Sequence, residues 1–140
     1  MSYLVAYVLV LVVFGASDAV WLTTMGPVLY RPTLGDILLT RLRIGPAIAF
    51  YLMYPVGLVI FAAAPAIKSG SVTSSLIYGA LFGAFAYATN DLTNYATLKN
   101  WTLQITLGDI VYGAVVSGIA AGSAVLLVRA LLGWIGGASG

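Results

Sequence analysis

The chain alternates between four long apolar runs and short polar joints. The runs cover residues 3–25, 44–67, 75–98 and 103–128, and the last can continue to 135. Each is long enough to cross about 30 Å of hydrocarbon at about 1.5 Å per helical residue. The expected fold is therefore all-α: a polytopic membrane protein built as a four-transmembrane-helix bundle, with residues 1–140 forming a single membrane domain. The N-terminus lacks the basic region and small-residue cleavage site of a signal peptide, so its apolar run is read as a retained first span. "KSGSVTSS" (68–75) reads as a polar turn, and the tail "GGASG" is expected to fray.

The first joint carries more pattern. In "RPTLGDILLTRLRIG" (31–45), Leu34, Ile37, Leu38 and Leu42 fall on one helical face, with Asp36, Thr40, Arg41 and Arg43 mostly elsewhere. Thr33 is placed to cap such a turn, with Asp36 at its third position. A short amphipathic helix in the interface would turn Arg31, Arg41 and Arg43 toward lipid headgroups; an ordinary basic loop accounts for the pattern equally well. Arg31, Arg41, Arg43 and Lys99 lie on one side of the spans, against Lys68 and Arg129 on the other. The bias puts the first and third loops in the cytoplasm and both termini outside. Trp21, Tyr30 and Trp101 would then mark the inner interface, with Tyr3 and Trp134 at the outer one.

Composition supports the membrane reading. The chain is 61% hydrophobic and 7% charged, against about 25% charged in soluble domains. Its mean hydropathy is +1.05. Six basic residues are too few for a nucleic-acid footprint. With no Cys and no His, the chain supplies no disulfide, no thiolate nucleophile and no His- or Cys-ligated metal or haem site.

Of the four acidic residues, Asp18, Asp91 and Asp109 fall inside spans. A carboxylate at the membrane centre costs at least about 2.5 kcal/mol, so each requires a partner or a purpose. By helix rise, Asp18 and Asp91 lie about 10 Å from the inner ends of their spans, and Asp109 lies about 9 Å into the fourth. Tyr51 and Tyr54 fall at similar depth, so all four helices supply polar atoms to one layer. On span 3, Gly79, Gly83, Tyr87, Asn90/Asp91 and Asn94 follow one stripe. On span 4, Asp109, Gly113, Ser117 and Ala121 do the same. Span 1 contributes Phe14, Gly15, Asp18 and Trp21, and Pro55 on span 2 frees the Tyr51 carbonyl. Thr89, Thr93 and Thr97 are read as bonding their own helix; Asn90 and Asn94 are as readily interhelical glue as ligand contacts. The pairs Gly79/Gly83 and Gly118/Gly122 have the spacing of a helix-packing motif, although it recurs by chance in glycine-rich spans. No span carries a Lys or Arg to neutralise the acids. Protonation, a shared proton, a bound cation or a cationic ligand remain the ways to do so.

Along nearly its whole length the chain resembles a family of small bacterial integral membrane proteins of unknown function with four predicted spans. The resemblance runs through "DAVWL" (18–22), "LYRPTLGDIL" (29–38), "IGPAIAFYLMYPVGLVIFA" (44–62), "GALFGAFAYATNDLTNYATLKNW" (79–101) and "LGDIVYG" (107–113). It implies that Asp18, Trp21, Asp91, Asn94 and Asp109 belong to family motifs, and it implies a bacterial inner membrane. The family usually has an aromatic residue where this chain has Asn90, and often Trp where it has Tyr112. The resemblance implies no activity.

Three functions compete. The first is binding of a small ligand, lipid, cation or proton in an inner-leaflet polar pocket, by a homo-oligomer or an accessory subunit of a larger membrane complex. Its candidate residues are Asp18, Asp91, Asp109, Asn90, Asn94, Trp21, Tyr51, Tyr54 and Tyr87. The second is an intramembrane enzyme acting on a lipid or isoprenoid with paired Asp residues as acid and base, although no catalytic motif is present. The third is a purely structural subunit.

Overall fold

The computed structural model describes residues 2–35 and 43–139, with side chains described through 131. The amphipathic helix expected in the first joint, with Asp36 and Arg41, lies mostly outside the described residues, as does the side chain of Trp134. Among the described residues the protein is helical throughout, without strands. Four helices are long and apolar enough to cross a membrane. We number them α1 (Ser2–Leu34), α2 (Ile44–Ser69), α3 (Val72–Thr97) and α4 (Leu103–Ser139).

Two of these helices run further than the apolar pattern indicates, and α1 does so for a local reason. The sequence reading ends span 1 at residue 25, before Gly26 and Pro27. The chain instead stays helical to Leu34 through a widened π turn at Gly26–Tyr30, which the Arg31 amide closes by donating to the Gly26 carbonyl. A second π turn, Val59–Ala63, interrupts α2. Each is followed by a proline at the second position of the resumed α-helix, Pro32 and Pro65. A proline ring collides with the carbonyl four residues earlier, here Val28 and Phe61. Both lie within the widened turns, which relieve the clash without ending the helix. Thr33 consequently sits inside a continuing helix and is not the N-cap expected of it. The other helix, α4, runs to Ser139, past its expected end and through the tail expected to fray.

The joint between α2 and α3 follows turn chemistry closely. Gly70 adopts φ 76°, a left-handed conformation that a residue with a Cβ resists. Its amide and that of Ser71 both donate to the Ala66 carbonyl, closing α2. The Ser71 hydroxyl then accepts from the Ser74 amide at 3.1 Å and caps α3.

α4 is the most buried helix. Its residues Val116, Ala120, Ala124, Val125 and Val128 form one core with Ala6, Val10 and Phe14 of α1 and Leu58, Ala63 and Ala66 of α2. The extension of α1 has its own small core, in which Leu29 and Leu34 pack on Ile105 beside Trp101. α3 and α4 approach most closely, along their glycines. A Cβ on Gly79 would lie 2.8 Å from the Ser117 carbonyl oxygen, and one on Gly118 2.9 Å from that of Leu76. A Cβ on Gly83 would collide with the Gly113 carbonyl and the Ser117 side chain. The glycine spacing is therefore used within the bundle. Outward faces carry Val8, Val12, Ile77, Leu81, Phe85, Val111, Val115 and Ile119, at the three- and four-residue spacings of lipid-facing stripes.

We expect Gly83→Val to destabilise the bundle by about 1–3 kcal/mol, read as a lowered unfolding temperature in detergent. Gly15→Ala, where a Cβ meets nothing within 4 Å, should shift stability by no more than about 0.5 kcal/mol.

Candidate functional site

Each intramembrane acid is met differently. Asp18, on the buried face of α1 one helical turn beyond Phe14, is 7% exposed. Its Oδ2 accepts a short hydrogen bond from the Tyr51 hydroxyl of α2. Its Oδ1 accepts from the Tyr112 hydroxyl of α4 at 3.1 Å. Asp109, half-buried on α4, accepts a short hydrogen bond from the Tyr30 hydroxyl, and Trp21 Nε1 donates to that same hydroxyl at 3.0 Å. The π turn is what delivers Tyr30 to this position, since it lies in the stretch the sequence reading treats as loop. Tyr30, expected only as an interface marker, and Trp21, expected both there and among the candidate residues, are thus linked to Asp109. They are polar groups on one continuous helix, and Asp109 draws them together.

Asp91 differs. It is fully buried on α3. Its Oδ1 accepts from Asn90 Nδ2 at 3.0 Å, and its Oδ2 has no partner among the described residues. The α3–α4 register, with Gly83 against Gly113 and the Tyr87 ring over Gly113, brings Asp109 opposite it on the same seam. A hydrogen bond to a charged group contributes about 1.5–3 kcal/mol, set against about 2.5–3.5 kcal/mol for placing the charge in the bilayer. Two phenols suffice for Asp18. One amide and a neighbouring acid do not suffice for Asp91.

Part of this set lines an open cavity of about 140 Å³, formed by Asp18, Trp21, Leu22, Tyr30, Tyr87, Asp109 and Tyr112. Trp21 and Tyr112 stack at 4.2 Å between ring centroids, and Tyr87 meets Tyr112 edge-on at 6.2 Å. The volume is well below the roughly 300–1,000 Å³ of drug-sized pockets. Two larger recesses share its walls. One of about 380 Å³ is lined by Phe50, Tyr54, Ala86, Tyr87 and Asn90. The other, of about 410 Å³, is lined by Ser17, Val20, Trp21, Thr24, Met25 and Tyr112. The described basic side chains Arg31, Arg43, Lys68, Lys99 and Arg129 are all exposed, at the loops and helix ends. Arg41, named with Arg31 and Arg43 as facing headgroups, lies outside the described residues.

The structure brings Asp18, Trp21, Tyr51, Tyr87, Asp91 and Asp109 into one neighbourhood. Tyr54 is set apart from the acids: its hydroxyl is 2.7 Å from Ser117 Oγ and its ring stacks on Phe14 at 4.7 Å. Asn90 contacts Asp91 and lines the neighbouring recess. The half-buried Asn94 side chain makes no hydrogen bond among the described residues. Thr89, Thr93 and Thr97 bond the carbonyls of Phe85, Thr89 and Thr93 at 2.6–2.8 Å, as their helical setting leads one to expect. Sequence reasoning left Tyr30, Tyr112 and Ser117 out of the candidate site. Tyr112 lies three residues after Asp109 on the same face, a signal that was available. Tyr30 was hidden by the Gly26–Pro27 pair.

Fold and site together define a polytopic α-helical membrane protein with an acidic, aromatic-walled cavity between its helices. A family model described as Predicted membrane protein (DUF2177) matches residues 3–126, and the chain belongs to that family, whose function is unknown. No curated protein and no solved structure matches it.

The phenol pair on Asp18 generates a stability test. Tyr51→Phe and Tyr112→Phe should each cost about 1–3 kcal/mol, and the double variant should cost more than the sum, because only then is the carboxylate stranded. In an Asp18→Leu background the same changes should cost under about 1 kcal/mol. Thermal unfolding of the full cycle measures the coupling.

Proposed function

We propose that this protein binds a small organic cation, of the alkylammonium class, in the cavity between α1 and α4. The observation that carries the reading is the lining itself. Asp18 and Asp109 face a space walled by Trp21, Tyr30, Tyr87 and Tyr112, and the described basic side chains are all exposed. Two acids supply charge. The aromatic rings supply π faces that attract an ammonium by about 0.5–2 kcal/mol each, and they do so without competing for its protons. A coordinated metal ion fits less well, since among the described residues no three acidic side chains converge at ligating range. The volume favours a small cationic group over a large molecule.

The setting we propose is the bacterial inner membrane with both termini outside. The supporting observation is the excess of Arg31, Arg41, Arg43 and Lys99 over Lys68 and Arg129 at the two ends of the spans. On that orientation the cavity lies toward the cytoplasmic half. We also propose that the bundle works as a homo-oligomer or as a subunit of a larger membrane complex. Its glycine faces are consumed by the α3–α4 contact. Support for assembly therefore rests on the small number of helices, too few to enclose both a site and a path across the bilayer.

Titration calorimetry of the detergent-purified protein with tetramethylammonium tests the binding reading. Saturable binding is expected, weakened at least about tenfold by Asp18→Asn or Asp109→Asn and about three- to thirtyfold by Trp21→Leu. Absence of binding, or binding indifferent to all three changes in folded protein, would refute the reading.

A further inference from the structure

The unpartnered oxygen of Asp91 is the observation that the cation site leaves unexplained. Asp91 is fully buried and does not line the cavity, so a cation held there leaves it unsatisfied. Its Oδ2 has no hydrogen-bond partner among the described residues. Gly83 lies against Gly113 and the Tyr87 ring over that same glycine, so one helical turn further along this antiparallel seam Asp91 of α3 comes opposite Asp109 of α4, whose Oδ1 already accepts from Tyr30. Asp109 also shares its cavity with Asp18 and Tyr30 of α1, Tyr87 of α3 and Tyr112 of its own helix, and Asp91 accepts from the Asn90 amide. The phenols of α2 are engaged elsewhere, Tyr51 with Asp18 and Tyr54 with Ser117. Two carboxylates sharing one site in a low-dielectric interior do not both ionise without a counter-charge, and the described basic side chains are all exposed.

We infer that Asp91 and Asp109 form a proton-binding site, holding one proton between them, and that a cation entering the cavity against Asp109 displaces it. In the cation-free state the proton sits on Asp91 Oδ2 and is donated to the free oxygen of Asp109. This satisfies the orphaned atom and leaves the pair with a single negative charge. When an ammonium docks between Asp18 and Asp109, its charge substitutes for the proton, which departs to bulk water. One positive charge enters and one leaves. The displacement half of the inference rests on the cation reading above. The shared proton stands without it.

Both halves are measurable on the full-length protein in detergent. Infrared spectroscopy near neutral pH should show the carbonyl band of a protonated carboxylic acid that shifts in deuterated water and disappears in Asp91→Asn. The absence of that band in the wild type would overturn the shared proton, as would its persistence in both Asp91→Asn and Asp109→Asn. For displacement, tetramethylammonium added to weakly buffered wild-type protein should release about one proton per cation bound. Its affinity should also fall by about tenfold for each unit of acidification while the pair holds its proton. Asp91→Asn should still bind the cation and release none. Cation binding without proton release in the wild type would overturn displacement. If tetramethylammonium does not bind at all, both the cation reading and displacement fail, and the infrared band alone still decides the shared proton. The wild-type measurements need no variant to fold.

Discussion

A carboxylate in a hydrocarbon layer has to be satisfied from within the protein, and this bundle does so almost entirely with aromatic donors. Asp18 is held by Tyr51 and Tyr112, and Asp109 by Tyr30, which Trp21 supports in turn. These bonds cross from α1 to α2 and from α1 to α4, so the groups that neutralise the cost of the acids are also the ones that register the helices. An Arg or Lys would satisfy a carboxylate more strongly, but it would also cancel the charge. Phenols and an indole leave the negative charge uncancelled and wall it with rings, the property on which the proposed binding of a positive ligand rests.

The backbone is arranged to permit this. Without the widened turn at Gly26–Tyr30, Pro32 would collide with the Val28 carbonyl and α1 would end short of Asp109. With the turn in place, α1 continues to Leu34, which packs with Leu29 on Ile105, and Tyr30 faces the site. On the other side of the bundle, Gly79, Gly83 and Gly118 allow α3 to lie directly on α4, bringing Asp91 up to Asp109. The positions that look least like chemistry, a proline behind a widened turn and a row of glycines, place the polar side chains.

Much of this was legible in the sequence. Four spans follow from apolar run length, and helix rise put Asp18 and Asp109, which line one cavity, at the same expected depth, because position along a helix axis is a one-dimensional quantity that residue counting estimates well. The self-bonded threonines follow from the same helical geometry. Interhelical pairing was not legible. Whether Tyr51 or Tyr54 reaches an acid depends on helix rotation, and Tyr54 turned instead to Ser117. Tyr30 was missed because Gly-Pro ordinarily ends a helix, and the π turn that carries the chain past it leaves no periodic signature in the residue types. The glycine pairs were ambiguous for a related reason: spacing identifies a close-packing face but does not say which partner it packs against.

The central claim is that the cavity recognises charge and not merely shape. The most direct measurement compares the affinity of the wild-type protein for a small quaternary ammonium with that for its uncharged tert-butyl isostere, at the same pH and in the same detergent. The account predicts that the ammonium binds at least about tenfold more tightly, a difference of about 1.4 kcal/mol. Equal affinity, or preference for the neutral molecule, would contradict it.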